Sequence, residues 1–186
     1  MNTPRGVWLD DLTREEAASR LAADAVVLLP VVWGRPVQAP SHLPMKTATT
    51  IARAVAQKLV ERLPVVMAPL LDWEGDAGAE VPRQMLRERL EQLRSHGARR
   101  LAILDLGLGV ALSADLSAGV PILRVCNGGA ADDYATSCML AVDPRSVRMQ
   151  LLPDGLGAQA FTGERMMSAD IDAAAGALAA LWSDIR

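Results

Sequence analysis

Aromatic side chains are scarce in this 186-residue chain: four tryptophans, one tyrosine and one phenylalanine, 3% of the total. With so few rings, Ala, Val, Leu and Met must fill the interior, which suits helices laid closely on a sheet. Histidine and cysteine are scarcer still, at two residues each. Cys126 and Cys138 make no disulfide framework, and two histidines exclude a His-rich zinc site by count alone. An excess of positive charge is also missing. Nineteen Lys and Arg stand against 22 Asp and Glu, a net charge of −3, which argues against nucleic acid, whose phosphates demand concentrated cations. The arginines are scattered, and the Arg99–Arg100 run is expected to be matched by Glu88 and Glu91. Long apolar runs are absent too. "AVVLLPVVW" and "AAAGALAALW" fall well short of the roughly 20 residues a membrane span needs, and the opening "MNTPRGVWLDDLTREE" has no apolar signal core. The expectation is a soluble, cytoplasmic, single-domain protein over 1–186, large enough to bury a real core.

What the chain does contain is alternation of short apolar runs with amphipathic segments. "AVVLLPVVW" (25–33), "PVVMAPLLD" (64–72), "RLAILDLG" (100–107) and "VPILRVCN" (120–127) are continuous rather than alternating. That pattern reads as strands buried on both faces, hence a largely parallel sheet of four or more strands covered by helices. Residues 46–62 and 82–97 carry apolar side chains at spacings of three and four, with Ile51, Val55 and Leu59 in one and Met85, Leu86, Leu90 and Leu93 in the other. They read as crossover helices. Thr13 with Glu16 predicts a capping box opening a helix. Pro82 is placed at the opening of another, where a missing N–H costs little, and Gly97 at its close. Residues 168–185 read as a last Ala-rich helix capped by Ser168. "LGVALSADLSAG", between the third and fourth runs, is barely long enough for a parallel crossover. Thin cover there would leave an apolar face for a partner subunit. The fold class is α/β: a three-layer sandwich with a mostly parallel central sheet flanked by helices.

In such a sheet the pocket lies beyond the strand C-termini. Those ends present Trp33, Gly34, Asp72, Trp73, Asp105 and Asn127, and the polar candidates are Asp72, Asp105, His42, Lys46 and the Asp132–Asp133 pair. Asp72, Asp105 and Asp133 offer a carboxylate site for Mg²⁺, which completes its shell with water; the alternative is no cofactor. His96 falls at a helix end away from the pocket. The two cysteines read as small core hydrophobes, and no Gly-x-Ser-x-Gly elbow occurs. "DLGLGVAL" has Gly107 and Gly109 after a strand, but Leu112 stands where the dinucleotide fingerprint needs its third glycine, so it reads as a tight turn.

The order of these pieces resembles the creatininase (creatinine amidohydrolase) family. "WLDDLTREEAASRLAADAVVLLPV" is similar to the family's opening helix and first strand, and "APSHLPMKTATTIARAVAQKL" to its first active-site loop and following helix. "LRSHGARRLAILDLGLG" resembles the helix, strand and glycine-rich loop of the second metal motif, and "YATSCMLAVDPRSVRM" the late helix. The resemblance implies an α/β fold that hydrolyses cyclic amides and related C–N bonds at a two-metal centre, in oligomers that are commonly hexamers. It also shows what has gone. The family's first loop reads Glu-Gln-His-Gly-Pro-His-Leu-Pro; here residues 37–44 put Val37 at the Glu and Ala39 at the ligand His, while Gln38 and His42 keep the family's types. The Asp opening the next helix falls at Ala48. In the loop that the family writes Asn-Gly-His-Gly-Gly-Asn, the His position is Gly107. The last ligand, a Glu, falls at Asp133, alone among these positions in keeping a donor.

A two-metal centre does not survive on one carboxylate, so neither a metal-activated hydroxide nor a bridging Lewis acid is expected. Three readings follow. One is a pseudoenzyme, a binding or assembly subunit that self-associates, joins a creatininase-family paralogue or holds a small molecule. Another is an enzyme with repurposed acid–base chemistry, using Asp105 and Asp133 with Lys46 or His42 orienting the substrate and Gln38, Asp72, Trp73, Gly107 and Asn127 lining the pocket. The third is a divergent metal-dependent cyclic-amide hydrolase.

Overall fold

The computed structural model describes residues 6–34, 40–74, 80–108, 111–126 and 131–185. Along the chain run β1 (Val7–Trp8), α1 (Arg14–Ala22), β2 (Val26–Gly34), α2 (Thr47–Arg62), β3 (Val65–Met67), β4 (Leu71–Glu74) and α3 (Glu80–Ser95). They are followed by β5 (Arg100–Asp105), β6 (Ile122–Arg124), α4 (Ala131–Val142) and α5 (Ala160–Leu181). The six strands form one sheet in the order β1-β3-β2-β5-β6, with β4 also pairing β2. Every pairing is parallel.

Strand β2 lies at the centre because its run is apolar on both faces. Val26, Leu28 and Val32 pack into the layer of α2, α4 and α5, while Val27, Leu29 and Val31 pack into the opposite layer with Leu86, Leu90 and Leu93 of α3. Each of these β2 side chains is all but inaccessible, and at about 1.5–3 kcal/mol per buried aliphatic side chain this strand is a large share of the core. In α2, Ile51, Val55 and Leu59 recur at four-residue steps and are fully buried, as an amphipathic helix on a sheet requires.

The apolar run 64–72 is two strands rather than one. Leu28 pairs with Met67, but Val31 pairs with Leu71, so four steps on one side match three on the other, the extra residue of a bulge. The Leu28 carbonyl accepts from Ala68 N at 2.8 Å, and the Val31 carbonyl accepts from Leu106 N at 2.9 Å. Backbone polar groups alternate in direction along a strand, so Pro30, in phase with Leu28, turns its missing N–H toward the gap between β3 and β4. A proline in a central strand is tolerated there because no ladder bond is lost.

Boundaries differ from expectation at both helix openings that lacked a capping side chain. Thr13 does cap α1, accepting from Glu16 N at 3.3 Å while Glu16 Oε2 accepts from Thr13 N at 2.8 Å. Pro82 is the third residue of α3 rather than its opening, and Gly97, with φ of 101°, follows its end. Ser168 caps nothing; α5 begins at Ala160, with Gln159 as an N-cap that makes no side-chain bond. The earlier start comes from packing: at Gly163 a Cβ would collide with the Ser137 carbonyl oxygen, so α4 and α5 cross backbone to backbone. The 107–120 connection is covered by a 3-10 turn, Ala114–Ser117, with Leu112, Leu116 and Val120 buried. The thin apolar face expected there is thus filled from within the connection itself.

Arg100, expected opposite Glu88 and Glu91, instead grips the C-terminal end of the chain. Its guanidinium donates to both oxygens of Asp184, one limb at 2.8 Å, and lies over the Trp182 ring at 5.4 Å, while Ile185 is buried. The hydrogen bond from Arg100 holds the Asp184 carboxyl below its usual range. A depressed carboxyl contributes stability that is complete above its unfolded value near about 3.9 and is lost as pH falls through the lower folded value. Asp184→Asn therefore lowers stability at neutral pH and flattens the acid limb of a stability–pH curve below pH about 4, as read by urea melts at several pH values. Gly163→Ala is expected to cost about 3 kcal/mol, the upper end for overpacking. An unchanged urea midpoint would show that the two helices do not meet this closely.

Candidate functional site

The C-terminal ends of β2, β4 and β5 bring the sequence candidates to one end of the sheet. Asp105 closes β5 and is 1% exposed. Its Oδ1 accepts from Gly107 N at 3.1 Å and its Oδ2 from Leu112 N at 2.8 Å. A buried carboxylate demands such donors, and here the glycine-rich turn supplies them from its own backbone. Gly107 is buried beneath this turn. The arrangement makes Asp105 the anchor of its loop, with a backbone donor on each oxygen.

His42 lies in the segment leading from β2 to α2. It is 1% exposed, with Nε2 2.8 Å from Oγ1 of Thr136, itself fully buried on α4. The His42 carbonyl accepts from Arg148 N at 2.9 Å. Its Nδ1 is buried without a hydrogen-bond partner. Four residues on, Lys46 Nζ donates to Asp143 Oδ2 at 3.0 Å, and 59% of its side chain is exposed. Asp143 also accepts from the Ser146 hydroxyl at 2.5 Å; that bond, and then Lys46, hold its carboxyl below the usual range. Thus His42 and Lys46 both tie the segment to α4 and the turns that follow it.

The remaining candidates are dispersed. Asp72 is exposed and accepts from Thr49 Oγ1 at 2.6 Å. Trp73 is half-buried against the α3 layer, its indole N–H buried without a partner. Asp133 is exposed in the first turn of α4, and Ala48 packs against the α2 layer of the core. No hydrogen bond among the described residues joins Asp105 to Asp133, His42 or Lys46. Val37, Gln38, Ala39 and Asn127 lie outside the described residues. Among the described residues, no three His, Cys, Asp or Glu side chains come together as a group able to hold a metal ion.

Two features escaped the sequence reading. Thr136 is the partner of His42, and its signal was a Thr–Ser pair inside the otherwise apolar helix stretch "YATSCMLAV". The other is a polar cluster behind α4, where the Tyr134 hydroxyl donates to Asp170 at 2.6 Å. Tyr134 also hydrogen-bonds with Cys126 and Cys138. Burial pushes both thiols up to about 12 and the phenol up as well. Since the thiolate is the nucleophile, both cysteines should resist iodoacetamide at pH 8 in the native protein and react fully in urea. Rapid native labelling of either would contradict the packing described.

A parallel α/β sheet with helices on both faces and its candidate residues at the strand ends defines the class. The particular fold is that of creatininase. A mutant creatininase matches at a TM-score of 0.74 and 19% identity, over 96% of this chain and 99% of its own. A creatinine amidohydrolase (creatininase) matches at 0.72 and 18%, over 95% and 98%. A structure described as "Creatininase Mn" matches at 0.70 and 20%, over 96% and 99%. At such identities the likeness is one of fold. No protein-family model matches the chain, and no curated protein matches it. No helix of the described residues is long and apolar enough to cross a membrane.

Proposed function

We propose that this chain is a non-catalytic relative of creatininase: a cytoplasmic, single-domain scaffold that kept the fold, lost the two-metal centre and works as a binding or assembly subunit. The observation that carries the reading is the state of Asp105. A carboxylate at the end of a central strand, where catalysis on this fold would need free donors, has a backbone N–H on each oxygen. The residues at the family's ligand positions support it: Val37, Ala39, Ala48 and Gly107 bring no donor side chain, and Asp133 stands exposed as a lone carboxylate. These residues do not fit a dinuclear centre, since transition-metal sites of this kind draw on several His or carboxylate ligands. What the scaffold retains is a rigid mouth, with His42 and Lys46 holding the β2–α2 segment to α4.

A second reading, repurposed acid–base chemistry, is favoured by one observation, the buried and unpartnered Nδ1 of His42. An imidazole nitrogen left bare in a closed site has hydrogen-bonding capacity for a ligand. One experiment separates these readings. The purified protein is incubated with Zn²⁺ or Mn²⁺, desalted, analysed for metal and assayed on creatinine and related cyclic amides. The expected result is far less than one metal per chain and no hydrolysis above the metal-only blank. Stoichiometric metal with turnover would revive the divergent hydrolase. Metal-free turnover abolished by His42→Ala would establish the second reading.

A further inference from the structure

On the side of the protein away from the sheet, a groove of about 780 Å³ runs between α2 and α5, beside Ala141 and Val142 at the end of α4. Its floor includes Ala54 with the buried Met167 and Ile171, and its rims carry Lys58, Glu61 and Arg62 from α2 and Glu164 from α5. The two rims differ in sign. Exposed residues of α2 include three cations, Arg53, Lys58 and Arg62, against one anion, Glu61. Exposed residues in the first half of α5 are two anions, Glu164 and Asp172, against Arg165. Beyond the rim, α5 turns Ala169, Ala173, Gly176 and Ala180 outward, and a Cβ at Gly176 would meet nothing within 4 Å. A helix with so small an outer face can approach another closely.

We propose that this face binds a second copy of the chain, with α5 of each copy lying in the α2–α5 groove of the other. A two-fold interface must be self-complementary, and this one is: the groove accepts a narrow helix with an acidic flank beside a basic rim, and the chain itself presents such a helix in α5. The result is a two-fold packing of α2 and α5 with their partner copies, in the manner of a four-helix bundle. The 22 residues of α5 span about 33 Å, and a strip two helices wide covers on the order of 700 Å² per copy, near the roughly 800 Å² of a stable interface. This deepens the assembly part of the reading above and rests on it for its purpose, while its geometry is separate from the strand ends.

The test is light scattering of the full chain over a concentration series, with circular dichroism melts to confirm that each variant is folded. The wild type is expected at twice its 19.8 kDa. Lys58→Glu should weaken the dimer at least about tenfold, the effect of roughly 1.4 kcal/mol. Adding Glu164→Lys to it should restore association by exchanging the signs of the two rims. Ala173→Arg, on the outer face of α5, should leave a folded monomer. A wild type that stays monomeric throughout overturns the proposal, including the case where it binds the dye 8-anilinonaphthalene sulfonate in the groove, which would make the groove a small-molecule site. A dimer indifferent to both Lys58→Glu and Ala173→Arg also overturns it. A dimer that hydrolyses creatinine would sink the non-catalytic reading and leave this one standing; a metal-free, inactive monomer would do the reverse.

Discussion

The parallel ladder between β2 and β5 is the constraint on which the rest depends. Six residues of β2 pair in unbroken register with six of β5, and the same β2 carries β3 and β4 on its other edge. Strands buried on both faces must be apolar throughout, and both helical layers take their position from them. The ladder also delivers Asp105 to the end of β5 and the His42 segment to the end of β2. Whatever the protein does at that end is built on side chains whose placement this pairing sets.

Seen from that end, the chemistry has turned inward. Asp105 stabilises a turn, His42 and Lys46 fasten a segment, and the thiols behind α4 are held protonated by burial. Each group is used to hold backbone or neighbouring helices in place. A catalytic site generally leaves such groups poised, with shifted protonation and room for a reactant. Here the polar groups are mostly satisfied by the protein itself, with His42 Nδ1 the exception on this side of the sheet.

Much of the fold was legible in the chain because its signals are local. Continuous apolar runs marked β2 and β5, four-residue spacing marked α2, and the Thr13–Glu16 box marked the start of α1. The failures also have physical reasons. Two residues of β1 leave no pattern to read. The split between β3 and β4 depends on register with β2, which Pro69 alone does not reveal. The opening of α5 rests on Gly163 meeting Ser137, a contact between residues of different helices. At the site, the residue types lost from the ligand positions were visible in the letters themselves. The role of Asp105 was not, because its partners are backbone amides and any residue but proline supplies those. Thr136 was hidden for another reason: it lies 94 positions from His42.

Pro30 has a wider consequence. Opposite the interruption between β3 and β4, strand β2 is joined sideways to β5 alone. The sheet therefore has a seam one residue deep, and below it lies the part secured by the grip of Arg100 on the chain's last turn. Above it lie the strand ends that carry the mouth. Mechanical continuity between these halves passes through a single file of amide bonds to β5, so the two sides of the seam are free to diverge in sequence at different rates while sharing one framework.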